Sequence, residues 1–356
     1  SEMCIRDRGN SDASLSFKLN GKKEKRALPA KAGHTEALNA ISEIIASTGV
    51  KPIAIGHRVV HGGEKFKGAA LVDNSVLEAI EEYASMAPLH NMANLKGIVT
   101  AQAAYPDLPH VVVFDTSFFQ TLPQKAFIYA LPMSLYREHG IRRYGFHGTS
   151  HKFILDSMAK TLEKPVSDTS IISAHLGNGC SVSAIEKGQA VDTSLGFIPL
   201  EGLVMGTRCG DLDPSLPGTL QKKLGKTADE IGDLLNKQSG LLGISELSND
   251  CRTLEDAALE GHEGALLAIE IFCYRLAKYI AGYMVAVPTL DAIVFTGGIG
   301  ENSSLIREKT MEYFAHFGIR LDEQRNTDAR FGQGGKITTD TASTAVYVVP
   351  TNEEWV

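Results

Sequence analysis

No stretch of this chain is both long and apolar enough to read as a membrane span. The most apolar one, residues 274–295, is broken by Arg275, Lys278 and Pro288. Cysteine is scarce and scattered. Cys4, Cys180, Cys209, Cys251 and Cys273 are odd in number, far apart and without a C-x-x-C pair. That pattern argues against a disulfide framework or a structural zinc site and points to a reducing compartment. No block of Lys or Arg offsets the net charge of −7, so a nucleic-acid partner is not expected. There is no n-region/h-region signal, no internal repeat of fixed period and no low-complexity tract. The expectation from these absences is a cytoplasmic protein with no membrane and no nucleic-acid partner.

What is present is ordinary globular material, 43% hydrophobic and 22% charged, in 356 residues. That length is large for one core and suggests two domains. Residues 1–8 are polar and patternless. Residues 9–33 carry only weak signals, and their basic "KKEKR" reads as a solvated loop. A helix follows, with Thr35 as its cap, an apolar stripe of Ala37, Leu38, Ile41, Ile44 and Ile45, and Gly49 as its end. "PIAIGHRVVHGG" reads as a strand closed by a double glycine, "HVVVFDTSF" as a second with Asp115 at its C-terminal end, and "SIISAHLGNG" and "LDAIVFTGG" as two more. Helical stretches lie between them, the longest from about His262 to Val285. Short apolar strands alternating with helices predict an α/β fold with largely buried sheets, whose ligands sit at the carboxyl ends of the strands. The polar clusters fall at such ends, which predicts a distributed active site.

"HLGNGCS", residues 175–181, separates two apolar runs, so it reads as a hairpin turn. Gly177 and Gly179 flank Asn178, and all three accept positive φ and leave amides uncovered, which suits a phosphate. The plainer reading is an ordinary tight turn. A second glycine loop, Gly297, Gly298 and Gly300, links a strand to a helix that Asn302 or Ser303 can cap. Position 303 is Ser, so the dinucleotide pattern G-x-G-x-x-G is not met, and the G-K-[ST] of a Walker A loop is missing. Two such loops far apart predict a nucleotide held between two parts of a split domain.

His57 and His61, and again His147 and His151, stand four residues apart. On a strand that spacing is about 13 Å, too far to share a metal. On a helix the rings meet, but the Glu of H-E-x-x-H is missing, and hydrogen-bonded structural histidines are the plainer reading of His57, His61 and His151. Arg58 lies beside Val59 and Val60, where a surface arginine has little reason to be, and fits bidentate anion binding. Arg208 sits in the glycine-bracketed "MGTRCGDLDP", where pairing with Asp211 or Asp213 is an equal alternative. Two arginines and a histidine beside a phosphate loop would clamp a transferring phosphoryl group. No feature pairs Cys180, Cys209 or Cys251 with a base, so a cysteine nucleophile is disfavoured.

Taken together, "GHRVVHGGE", "APLHN", "FDTSFF", "RYGFHGTSH", "AHLGNG", "MGTRCGDLDP" and "FTGGIGENS" resemble, in order, the motifs of the acetate kinase family of short-chain carboxylate kinases. The resemblance covers about residue 50 to Glu354, more weakly the helix before it. It implies a two-domain actin–hexokinase-type (ribonuclease H-like) fold with a cleft between an acyl-substrate domain, 1–118, and a nucleotide-binding domain, 119–356. The implied reaction is reversible phosphoryl transfer from ATP to acetate, with Mg²⁺ or Mn²⁺, in a homodimer. Propionate or butyrate as acceptor, or a non-catalytic nucleotide-binding relative, are the alternatives. By motif position Asp115, His147 and Arg208 would be catalytic. Arg58 would bind the carboxylate, with Val60, Leu89, Phe146 and Pro199 around the methyl group and His90 beside it. His175, Leu176, Gly177, Asn178 and Gly179 would contact phosphates. Asp250, Cys251 and Arg252, with Gly298, Ile299, Gly300, Glu301 and Asn302, would hold the nucleoside, and Glu353 the metal.

The family usually opens with a strand and an Asn/Gly/Ser-rich hairpin, which residues 1–33 do not match, and it normally continues briefly past "TNEE". The expectation is therefore a chain lacking the first strands of one domain and the last few residues. Acetate is already ionised near pH 7, so Asp115 is expected to orient Arg58 or a metal-bound water instead of abstracting a proton.

Overall fold

The computed structural model describes residues 3–6, 14–19, 22–29, 33–49, 51–86 and 88–352. Internal contacts divide the chain into two compact units, Ser1–Phe114 and Asp115–Val356.

The first unit opens with an antiparallel meander of β1 (Met3–Arg6), β2 (Ser14–Leu19) and β3 (Lys22–Ala27). The basic "KKEKR" expected as a loop is thus strand β3, paired with β2 from Ser14↔Ala27 to Leu19↔Lys22. Its charges sit on an edge strand, where they discourage pairing with another chain, and they hide the period-two pattern. Leu15 packs with Leu28, Ala40 and Ile44, the last two on α1 (His34–Thr48). That helix ends at Gly49 in the left-handed region, as the sequence predicts. It begins at Gly33, two residues before Thr35, and the Glu36 carboxylate accepts from the Gly33 N–H at 2.8 Å. β4 (Ile55–Val59) and β6 (His110–Phe114) pair in parallel, with β5 (Ala70–Leu71) antiparallel to β6. Val59, Val112 and Phe114 form a core with Val76 and Ile80 of α2 (Asn74–Glu82) and Ile98 of α3 (Pro88–Ala104). The core fixes β4, and with it Arg58.

The second unit is built on a six-stranded sheet, order β11-β12-β10-β7-β8-β9. These are β7 (Ile171–Leu176), β8 (Cys180–Glu186), β9 (Gln189–Thr193), β10 (Ala292–Thr296), β11 (Gly335–Lys336) and β12 (Ala345–Val348). β12, β10 and β7 run parallel, while β8, β9 and β11 are antiparallel to their neighbours, so the sheet is mixed. Every residue of β7 and β10 is buried, which is why both read as continuous apolar runs. α4 (Gly148–Thr161) lays Ile154, Leu155 and Met158 against Ile171, Ile185, Ala292 and Val294. Five further helices frame the site: α5 (Ala228–Lys237), α6 (Gly240–Ser245), α7 (Cys251–Leu259), α8 (Glu263–Met284) and α9 (Gly297–Asn302). No helix among the described residues is long and apolar enough to cross a membrane.

Behind α9 lie α10 (Ser304–Glu312) and α11 (Glu323–Asp328), joined to it by one buried cation. The Arg307 guanidinium donates to Gly300 O at 2.9 Å, Asn326 Oδ1 at 2.8 Å and Ala329 O at 2.9 Å. Burial lowers its pKa to about 10, which leaves it charged at neutral pH. Arg307→Met would strand those acceptors out of water, and the expected loss is about 3–5 kcal/mol, read as a drop in the urea midpoint. Arg307→Lys should recover less than half, because an ammonium cannot reproduce the planar fork.

Candidate active site

The sequence "HLGNGCS" forms the hairpin it predicts: β7 and β8 pair antiparallel up to Leu176↔Cys180, and residues 177–179 make the turn. The torsional reason expected for its glycines does not apply. Neither Gly177 nor Gly179 is in the left-handed region. A Cβ at Gly179 would make ordinary van der Waals contact, 3.4 Å from Arg208 Nη1 and 3.5 Å from His147 Nε2, so the position marks where those two side chains meet. Two groups able to donate to a phosphoryl oxygen therefore converge on one bare point of the turn.

His147 precedes α4 with φ +58°, a conformation an ordinary side chain adopts only under constraint. The next residue explains how the segment packs. A Cβ at Gly148 would stand 2.0 Å from the Asp115 carbonyl oxygen, so only glycine lets α4 start against Asp115. Asp115 is almost fully buried, and its carboxylate accepts from the Thr149 hydroxyl at 3.4 Å. Asp115 and His147 are thus held by the first turn of one helix.

The His-x-x-x-His spacing brings two rings to a hydroxyl, not to a shared ion. His147 Nδ1 and His151 Nε2 both bond Ser181 Oγ, at 2.9 and 2.8 Å, and His151 Nδ1 bonds Ser173 Oγ at 3.0 Å. Burial, and next the neighbouring His175, hold the His151 pKa well below the usual histidine range. His151 is therefore neutral. His175 packs its ring 4.4 Å from that of His147 and bonds Ser150 at 2.8 Å. In the first unit His57 is similarly engaged, stacked on His110 with a 3.0 Å contact between ring nitrogens.

Arg208 rides on a loop pinned by backbone. Met205 O, Gly206 O and Thr207 O accept from Leu241, Leu242 and Ser239 at the start of α6, and Cys209 N–H reaches Leu235 O on α5. Its Nη1 donates to Pro199 O at 2.9 Å. The alternative partners are spoken for elsewhere: Asp211 accepts from Gly202 N–H and Tyr279, and Asp213 from Ser215. The segment bearing Pro199 is braced by Arg143–Glu201 at 2.6 Å, with Tyr129 also donating to Glu201. Phe146 is buried; Pro199 is half-buried.

A cavity of about 420 Å³ opens beside the turn, within the range of small-ligand sites. Of the residues singled out from sequence, Gly177, Asn178, Asp250, Cys251, Arg252, Gly298, Ile299 and Asn302 line it. Asn249, Glu255 and Phe331 join them without having been singled out, as does Ser303, noted only as a helix cap. Asp250 caps α7 by accepting from Thr253 N–H at 3.0 Å. The second glycine stretch, expected as a tight turn between strand and helix, is itself the short helix α9. Gly297, at φ +77°, permits it: a Cβ there would press on the backbone of Leu176 at 2.8 Å. Glu301 faces backbone, accepting from Gly297 N–H and Thr351 N–H, each at 2.9 Å. Leu176 and Gly300 are buried and lie outside the lining. Ser303 caps α10, as expected for one of two candidates, and donates to Glu255, which also accepts from the Cys251 thiol. Burial pushes the Cys180 thiol up to about 12, and burial with Glu255 raises that of Cys251, so neither is poised as a nucleophile.

In the first unit Arg58 and His90 are exposed, and the half-buried Val60 donates its N–H to Asn94 Oδ1 at 3.3 Å. The Leu89 side chain and Glu353 fall outside the described residues.

The sequence profile of the acetokinase family matches residues 4–356, so the likeness begins far earlier than residue 50, where the motifs first become visible. The acetate kinases of Shewanella loihica and Shewanella pealeana are each 58% identical over 352 residues, 98% of this chain and 88% of their own length. Among solved structures, a propionate kinase from Francisella tularensis is 41% identical, with a TM-score of 0.93 over 98% of this chain and 89% of that one. Porphyromonas gingivalis acetate kinase is also 41% identical, with a TM-score of 0.91 over 99% of this chain and 90% of that one. The fold is theirs, of the actin–hexokinase type. Matched by profile, by sequence and by fold over nearly its whole length, the chain belongs to the acetokinase family.

Proposed function

We propose that this chain transfers the γ-phosphoryl group of ATP to acetate, reversibly, giving acetyl phosphate and ADP, with the first unit serving the acyl substrate and the second the nucleotide. The observation that carries the reading is the convergence of His147 and Arg208 on Gly179, one residue along the turn from a cavity lined by Gly177 and Asn178. Phosphates of a nucleotide seated there would lie along the turn, and the transferring group would reach both donors. An acetate oxygen attacks phosphorus as the bond to the ADP oxygen breaks. Acetate is ionised near pH 7, so no proton moves and catalysis reduces to positioning and charge neutralisation. Arg58 suits the planar carboxylate. By motif position Val60 would face the methyl group, where one methylene changes discrimination by about 1–3 kcal/mol.

The hydrogen-bond chain joins His147 to His151 through Ser181 and can run in either of two senses. Neutral His151 donating from Nε2 to Ser181, and Ser181 donating to His147 Nδ1, place the His147 proton on Nε2, facing the turn. The reverse sense, His147 Nδ1 donating to Ser181 and Ser181 to His151 Nε2, satisfies the same hydroxyls; the first is the one that turns a donor toward Gly179. Asp115, a buried carboxylate by His147, offers the hard oxygen that suits Mg²⁺ or Mn²⁺. Asp115, through water, and Glu353 would hold such an ion, which when bound with the nucleotide neutralises phosphate charge. A homodimer in the cytoplasm accords with the family likeness and belongs to the same reading.

Acetyl phosphate trapped as its hydroxamate should form with ATP, Mg²⁺ and acetate, and Arg58→Ala should lower kcat/KM for acetate at least about 100-fold with ADP affinity unchanged. Full activity in that variant would remove the carboxylate role. Asp115→Asn should cost kcat about 100-fold, whereas a variant with most of its kcat would show that the charge is dispensable. Ser181→Ala should reduce kcat about tenfold at constant nucleotide affinity, with the ¹⁵N shifts of His147 moving away from the Nε2–H tautomer. Unchanged shifts would detach Ser181 from His147.

A further inference from the structure

The cavity has one wall that no motif announced. Phe331 lines it together with Arg252, Gly298, Ile299 and Asn302, yet the residue is 75% exposed. Its backbone is in the left-handed region at φ +55°, which a bulky aromatic residue rarely adopts. Gly332 beside it has φ +86°, so the turn carries its conformational exception on an aromatic residue as well as on a glycine. The backbone that carries this exposed aromatic ring at the cavity edge is held by its surroundings. The hold is visible: Asn302 Oδ1 accepts from Phe331 N–H at 3.0 Å, while Asn302 Nδ2 donates to Gly298 O at 2.9 Å. One amide side chain thus ties the aromatic turn to α9. The Arg330 guanidinium lies 5.3 Å from the ring centroid.

We propose that Phe331 is the stacking wall for the nucleobase and gives the cavity its preference for purine over pyrimidine nucleotides. The inference rests on the reading of this cavity as a nucleotide site. A flat π-face fixed at the rim recognises a base by area, with no donor or acceptor code, and a purine offers the larger face. Asn302 then has a second role besides lining the cavity, as the positioning residue that presents the ring.

The test is calorimetric titration of ADP and UDP into the full chain, wild type, Phe331→Gly and Phe331→Tyr. Glycine is at ease at φ +55° and the side chain is exposed, so Phe331→Gly should fold with an unchanged or higher thermal midpoint. It should bind ADP about tenfold more weakly and UDP within about threefold of wild type, and Phe331→Tyr should restore ADP binding. In turnover its KM for ATP should rise, with kcat and KM for acetate unchanged. ADP affinity within twofold of wild type in Phe331→Gly would overturn the inference and leave the nucleotide reading intact. A wild-type chain that binds no ADP would overturn both.

Discussion

The parallel pairing of β7 with β10, from Ala292↔Ile171 to Thr296↔His175, is the constraint on which the rest of the second unit depends. Both strands are wholly buried and end level with each other. Their continuations leave the sheet side by side, one as the hairpin turn and the other as α9. The two glycine stretches lie more than a hundred residues apart in sequence, yet one cavity takes its walls from both. Glycine at 297 is needed at that junction because the two backbones nearly touch. The core of apolar side chains beneath thus fixes the spacing of polar groups above it, and neither feature can shift without the other.

The polar interior is arranged so that little net charge is buried. His151 is neutral and linked through hydroxyls to His147 and Ser173, so a line of imidazole and serine crosses the core with its hydrogen bonds satisfied. Among the described residues Asp115, Arg142 and Arg307 are the charged side chains buried outright, and the half-buried Arg208 and Arg143 lie against Pro199 O and Glu201. Arg208 and Arg143 brace the segment around Pro199, and Arg307 ties α9 to α10 and α11. Loops fixed in this way need no reorganisation when a charged substrate arrives, which is the condition for electrostatic catalysis.

Much of this was legible in the sequence, for identifiable reasons. Strands buried on both faces leave unbroken apolar runs, so β7 and β10 and the groups at their ends could be placed directly. Gly49 and the span of α8 followed from ordinary end signals. β3 was misread because an edge strand of Lys, Glu and Arg looks like a solvated loop until its partner is known. The turn glycines stand out for a torsional reason that does not apply, and the approach of His147 and Arg208 to Gly179 involves residues distant in sequence. Ser181, Arg307 and Phe331 carried no signal. A serine in an alternating strand, an arginine on a helix and an aromatic residue in a turn acquire meaning only from what folding brings beside them.

One carboxylate oxygen has a wider consequence. Glu301 Oε1 accepts from Gly297 N–H, at the start of α9, and from Thr351 N–H, in the segment after β12, which Val349 N–H also fastens to Phe295 O. A ligand that stiffens α9 therefore stiffens the segment at Thr351 through a shared latch, and reciprocity requires the converse. Loss of order around residues 349–351 would be felt as lost affinity at a cavity those residues do not line. The chain's last described stretch is in this sense a tensioner for its ligand site.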